Sequence, residues 1–209
     1  MNLFDLLLTR RSIRQYTGQP VSQEDLRAVL AAGLLSPSSR SRRPWELVVV
    51  QDPAMLERLS HCRQGSARML AGAAAAILVF ADQTKTDVWT EDCAIVMSNM
   101  HLMAHHLGLG SCWIQGRLRQ SEDDSETTDA YCRRLLGVPE PYALEAILSL
   151  GHSAVEPPAF PNRKGADRHF PRSAPGVISC KNAPLAFQRR VVSLWEAYSS
   201  SSRKSSRSS

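Results

Sequence analysis

Glu91-Asp92-Cys93-Ala94-Ile95-Val96-Met97-Ser98-Asn99-Met100-His101-Leu102-Met103-Ala104-His105-His106-Leu107 reads as one long helix that is apolar on nearly every face. A helix without a broad polar side has to be covered all round. In a chain of 209 residues this makes it the central helix, with a partner subunit as part of its cover. Gly108 stands where a helix-ending glycine belongs. Ser111–Gln115 follows as a short strand.

Working outward, residues 3–9 form a short amphipathic helix, and Ser22-Gln23-Glu24-Asp25 supplies the N-cap and acidic first turn of a second. Leu26, Val29, Leu30 and Leu34 recur at helical spacing, and Pro37 stops the run. Trp45–Val50 is a continuous run with β-branched character, expected to be a buried strand. Asp52-Pro53 caps a helix to about Ser60, a helix is expected near Ser66–Ala71, and Ala74–Ala81 is the next strand. Beyond the central helix come a helix over Thr128–Leu136 closed by Gly137 and a strand over Ala143–Leu150. After Gly151 prolines break the pattern, although Leu185–Tyr198 has helical spacing. The last eleven residues, SSSSRKSSRSS, hold eight serines and cannot offset their ordering entropy, so disorder is expected.

The net charge of +5 is unevenly placed. Beyond residue 162 there are ten Lys/Arg against Asp167 and Glu196, which leaves residues 1–162 with 15 basic and 18 acidic side chains, a net of −3. A nucleic-acid-binding domain carries its charge on the folded face, so none is expected here. No apolar run approaches the roughly 20 residues that span a bilayer. The Leu3–Leu8 patch carries Asp5 and is followed by arginines, unlike a leader's apolar segment, so a cytoplasmic protein is expected. Five cysteines (Cys62, Cys93, Cys112, Cys132, Cys180) form no CxxC and read as small buried apolar residues.

Two segments carry the chemistry. Ser36-Pro37-Ser38-Ser39-Arg40-Ser41-Arg42-Arg43-Pro44-Trp45 is a hydroxyl-rich loop with three arginines, and Arg10-Arg11-Ser12-Ile13-Arg14 is a second cationic turn. Hydroxyl and N–H donors beside guanidinium groups suit an anionic ligand with many acceptors. His101 and His105 lie one helical turn apart, but no third ligand follows at metal spacing and HExxH is absent, so they read as core or interface histidines. Gly108-Leu109-Gly110 lacks a third glycine and follows a helix, which removes the dinucleotide-loop reading.

The two cationic segments resemble the N-terminal signature of the nitroreductase-like flavoproteins. Met97–Ala104 leading to Gly108-Leu109-Gly110-Ser111-Cys112-Trp113-Ile114 is similar to that family's central helix and following strand. Val138-Pro139-Glu140 and Ala146–His152 resemble its closing segment, so the resemblance spans about residues 3–165 in family order. It implies an α+β fold: a mainly antiparallel sheet flanked by helices, a long buried central helix, and an entwined homodimer with FMN at the subunit interface. Residues 1–170 would form this FMN-binding domain and 171–209 a basic Pro/Ser/Arg-rich extension.

By the same resemblance Arg10, Arg11, Ser12 and Arg14 meet the FMN phosphate and ribityl chain. Pro37, Ser38, Ser39 and Ser41 lie along the isoalloxazine from the other subunit, with Ser41 and Arg43 standing where relatives carry Asn and Gln. Ile114, Gln115 and Gly116 bring backbone to flavin N5 and O4, and Arg163 and Lys164 close on the phosphate. Arg14 and Gln115 are the catalytic candidates, Arg14 as the cation that favours an anionic reduced flavin. The function implied is ping-pong hydride transfer from NAD(P)H through FMN to a small-molecule acceptor: a nitroaromatic, a quinone, an enone or free flavin, among which the sequence does not choose. Two rivals stand beside it. One is a specialised dehalogenating or flavin-cleaving relative, with Ser121–Asp129 where a lid could lie. The other is a non-catalytic flavin- or nucleic-acid-binding protein using the basic tail.

Overall fold

The computed structural model describes residues 2–156. Residues 157–209 lie outside the described residues. The helix suggested at Leu185–Tyr198, the serine-rich end, Cys180, Arg163 and Lys164 all fall there.

Local signals account for most elements. α1 (Leu3–Thr9) is capped by Asn2, and α2 (Gln23–Leu34) by Ser22, whose hydroxyl accepts from the Asp25 N–H. α3 (Pro53–Leu59) has Asp52 at its N-cap and proline in its first turn. α4 (Trp89–His106) is the long helix, and α5 (Thr128–Leu136) runs from Thr127 to a left-handed Gly137. The segment expected as a helix near Ser66–Ala71 is a 3₁₀ turn, Arg68–Gly72.

Four antiparallel strands, β1 (Trp45–Val50), β2 (Ala75–Asp82), β3 (Gly110–Gln115) and β4 (Tyr142–Gly151), pair in the order β1-β2-β4-β3. β2 and β4 are central and almost wholly buried, whereas β1 and β3 are the two edges. The expectation of a buried β1 therefore needs correcting. With a neighbouring strand on one side only among the described residues, Leu47, Val48 and Val49 stay half-buried and Glu46 is exposed.

The sheet has a hydrophobic layer on each face. Val96, Met97 and Met100 of α4, with α2, cover Ile77, Val79, Ala146 and Leu148. Leu56, Leu59, Leu70 and Cys132 cover Leu78, Phe80, Ile114 and Ile147 on the other. Gly33 lets α2 approach α4 closely, since a Cβ there would lie 2.8 Å from Met100 Cγ. Among the described residues α4 is not covered all round. Cys93, Val96, Met97, Met100 and Ala104 face the core, while Ile95 is 39% exposed and Ser98 and His106 are exposed. Among the described residues no helix is long and apolar enough to cross a membrane.

Candidate active site

The basic turn is stitched to the open edge of β3. Ile13 N–H donates to Ser111 C=O at 2.9 Å, and Ser12 pairs with Ser111 as a parallel bridge. Ile13 is buried over Gly110, and Tyr16 donates to the Ile13 carbonyl at 2.8 Å while its hydroxyl also meets Ser149. α4 holds the turn from behind. Arg10 Nη1 lies 3.1 Å from His101 Nε2, Thr9 Oγ1 lies 2.7 Å from His105 Nε2, and His101 Nδ1 bonds Ser111 Oγ. Burial, then the Arg10 charge, pull the His101 pKa down to about 4, so the ring is neutral near pH 7 and its Nε2 lone pair accepts from Arg10. Both ring nitrogens are thus committed to the protein.

Ser12 and Arg14 point outward, and Arg14 Nη1 reaches its own turn at Ser12 C=O, 3.5 Å away. Arg14 lines a cavity of about 280 Å³ with Arg63, Ser66, Cys112 and Trp113. Neither Arg14 nor Arg63 has a carboxylate partner among the described residues. Two guanidinium groups that line one cavity without carboxylate partners give it a positive character that suits an anion. Burial raises the Cys112 thiol pKa despite these arginines, so the thiol stays protonated. Arg11 turns back onto the carbonyls of Leu8 and Arg10.

At the other end of β3 the strand presents backbone. Gly116 N–H bonds Glu145 C=O, and Ser111 C=O faces Ile13. By the alternation of an antiparallel ladder, the N–H and C=O groups of Trp113 and Gln115 therefore turn away from β4 to the open edge. Ile114 buries its side chain in the core and Gly116 spends its N–H on β4, so Gln115 supplies the outward backbone of the three. Its side chain is locked. Trp113 Nε1–H donates to Gln115 Oε1 at 2.9 Å, and Gln115 Nε2 donates to Glu145 Oε1 at 2.9 Å and to Glu145 C=O at 3.1 Å. Glu145 is the extra residue of a β-bulge opposite Val79/Phe80, and bulges re-aim side chains in this way. Its Oε2 is buried with no hydrogen-bond partner among the described residues, and burial raises its carboxyl pKa.

The hydroxyl loop sits elsewhere in the single chain. Ser39 N–H donates to Asp92 Oδ1 at 2.8 Å near the start of α4, Asn99 donates to Ser36 Oγ, and Ser38 Oγ accepts from Arg43 N–H. Pro37 and Ser41 are exposed. Asp92, which holds this loop, and His101, which holds the basic turn, are nine residues apart on α4, or about 13 Å. The structure thus joins Arg10, Ser12 and Arg14 to β3 and attaches Ser38 and Ser39 near the opposite end of α4. Ser121–Asp129 is tied down as well, with Glu122 bonded to His61 and Arg68.

Arg63, Glu145 and Asp92 went unnoticed as site residues in the sequence. Glu145 left a signal, a single charge inside the apolar run Ala143–Leu150, and Arg63 sits in the Arg-Gln-Gly-Ser loop of residues 63–66. Asp92 carries no sequence signal beyond that of an acid in the first turn of a helix.

Comparison with known proteins bears on this geometry. The sequence profile of the nitroreductase family matches residues 7–62 and 53–152. A relative from Archaeoglobus fulgidus, named as an NADH dehydrogenase/NAD(P)H nitroreductase without proof of the activity, is 36% identical over 151 residues, covering 70% of this chain and 83% of its own. Among solved structures, an FMN-dependent nitroreductase from Clostridium difficile R20291 is 44% identical with a TM-score of 0.76, covering 80% of this chain and 98% of its own. A nitroreductase with bound FMN from Bacteroides fragilis is 25% identical with a TM-score of 0.61, covering 78% and 97%. On the family profile, and on the relatives that match it in sequence and in fold, the chain belongs to the nitroreductase family of oxidoreductases.

Proposed function

We propose that this chain is an FMN-dependent NAD(P)H oxidoreductase of the nitroreductase or quinone-reductase type, acting as a homodimer. The observation that carries the reading is the continuous track along the open edge of β3. It begins at the basic turn beside Ser111, passes the Arg14–Arg63 cavity at Cys112 and Trp113, and ends at the outward backbone of Gln115. From Ser111 to Gln115 it measures about 13 Å at 3.3 Å per residue. Cations at one end and backbone donors and acceptors at the other match a ligand with a phosphate at its tail and a planar, hydrogen-bonding ring at its head, which is the form of FMN.

Bound there, FMN would supply hydride transfer at N5 between a nicotinamide and a small electron acceptor. The protein binds and orients. Arg10, Arg11, Ser12 and Arg14 neutralise and fix the phosphate end, with Arg163 and Lys164 of the later segment as further cations. Arg14 and Arg63 place positive charge beside the ring edge, where each charge-assisted bond contributes on the order of 1.5–3 kcal/mol. Gln115, clamped by Trp113 and Glu145, offers its backbone at a defined position. Pro37, Ser38, Ser39 and Ser41 cover the ring from the second subunit. The exposed stripe of α4 supports this division between two chains.

The test is the visible spectrum of the purified protein, followed by anaerobic addition of NADH and then NADPH. A yellow protein whose flavin band bleaches, with a mass twice that of the chain, is the expected result. A colourless protein that takes up no added FMN overturns the reading.

A further inference from the structure

A second cationic cavity lies apart from the β3 track, between the hydroxyl loop and the segment that leads into α4. It measures about 170 Å³ and is lined by Arg40, Arg42, Lys85, Ser39, Thr86 and Asp87, among others. A phosphate group fits within it. Three cations face it against the single carboxylate of Asp87, a net of two positive charges. None of Arg40, Arg42 and Lys85 has an ion-pair partner among the described residues.

The loop that presents these cations is strained and firmly held. Arg40, Ser41 and Arg43 have φ of 49°, 54° and 43°, left-handed values that residues with a Cβ adopt at a cost. Ser41 N–H donates to Ser38 C=O, Arg42 N–H to Ser39 C=O, and Arg43 N–H to Ser38 Oγ. Across the cavity Arg42 Nη1 donates to the Lys85 carbonyl at 2.7 Å, fixing one wall to the other. Strain of this kind persists where surrounding contacts over-determine the backbone, and it clusters at ligand clamps.

We propose that this cavity takes the 2′-phosphate of NADPH and makes the protein prefer NADPH over NADH. The inference rests on the reading of the chain as an NAD(P)H oxidoreductase with Pro37, Ser38, Ser39 and Ser41 over the flavin ring. On that reading a nucleotide stacked on the ring would lie beside the same loop, whose Ser39, Arg40 and Arg42 line this cavity. Its pyrophosphate carries one charge per phosphorus, whereas the 2′-phosphate is a near-dianion with three terminal oxygens, the better match for three converging cations.

The test uses the full-length holoprotein with Arg40→Gln, Lys85→Gln and the double variant, each checked for folding by circular dichroism. Arg42 is left intact because it also braces the loop. Titration calorimetry with 2′,5′-ADP and with 5′-AMP reads the site without turnover, and kcat/KM is measured with NADPH and NADH. Wild type is expected to bind 2′,5′-ADP at least tenfold more tightly than 5′-AMP. Each single variant should lose about tenfold for 2′,5′-ADP and for NADPH, with NADH changed less than twofold. Equal binding of the two probes by wild type overturns the proposal, as does an equal fall for both nucleotides, which would place the pyrophosphate here. If neither nucleotide reduces the flavin, the oxidoreductase reading fails, and the calorimetric comparison still decides whether the cavity holds a 2′-phosphate.

Discussion

Replacing Gly110 with alanine separates the support of the basic turn from its contact with a ligand. A Cβ at Gly110 would stand 2.8 Å from Ile13 Cγ2 and 2.9 Å from Ile13 Cβ, closer than such atoms pack. The obstructing atoms sit at the branch point of a buried, β-branched side chain, so rotating its far end does not clear them. The turn itself must lift, stretching the 2.9 Å bond from Ile13 N–H to Ser111 C=O and carrying Arg14 with it. Overpacking of this type costs about 1–3 kcal/mol. At about 2–4 °C per kcal/mol for a chain of this size, Tm should fall by roughly 2–12 °C. Misaligning one charge-assisted bond to the cofactor costs a further 1.5–3 kcal/mol or so of binding, roughly a 10- to 150-fold rise in the FMN Kd. Gly108→Ala is the matched control. Gly108 has φ +76° and open space within 4 Å of where a methyl would stand, so alanine there strains the backbone by about 1–2 kcal/mol without touching Ile13. Thermal melts and fluorescence titration of apoprotein with FMN should therefore show both variants destabilised and only Gly110→Ala impaired in binding. A Gly110→Ala protein with lowered Tm and an FMN Kd within twofold of wild type would refute the reasoning.

Arg14→Ala and Arg63→Ala should each raise the FMN Kd roughly 10- to 150-fold and slow flavin reduction, followed by titration and stopped-flow absorbance; wild-type affinity in both would remove the cavity from the site. Burial holds the Glu145 carboxyl above its usual range, so the native state retains a proton that the unfolded chain releases, and stability should fall as pH rises from the ordinary glutamate pKa through the raised one. Glu145→Gln abolishes that component, and urea unfolding between pH 4 and 8 should show the variant gaining on wild type as pH rises; parallel curves contradict it. His101 has the opposite sign: its folded pKa of about 4 lies below the ordinary 6.5, so stability present above pH 6.5 is lost as pH falls toward 4, by on the order of 3 kcal/mol. His101→Gln should flatten that slope in the same unfolding series.

What the sequence disclosed was whatever is encoded over a few residues. Ser22, Asp52 and Thr127 announce helix starts because a short polar side chain satisfies N–H groups two or three positions on, and all three do so here. β2 and β4 were legible because central strands are buried on both faces and read as unbroken apolar runs. β1 has a similar composition but an edge position, and strand order depends on which distant segments pair, so its half-burial could not be read from Trp45–Val50 alone. The 3₁₀ turn at Arg68–Gly72 was expected as a helix for a related reason, since one turn of either kind has the same local pattern.

The site divides along the same line. The basic turn and the hydroxyl loop were visible as composition, yet their placement is a property of α4, which holds the loop through Asp92 and the turn through His101. Both anchors are buried polar groups on a helix that otherwise reads as core, and each satisfies its partner across more than 50 residues of chain. An apolar helix that carries a few buried polar side chains covers the sheet and also sets the spacing of the loops at its two ends. In α4 the face toward the sheet is filled, the polar anchors sit at the flanks, and Ile95 and Ser98 remain outward. That order of faces is what a helix needs if one copy's basic turn is to meet another copy's hydroxyl loop. On the proposed homodimer reading, the second subunit would supply the cover that Ile95 and its neighbours lack here.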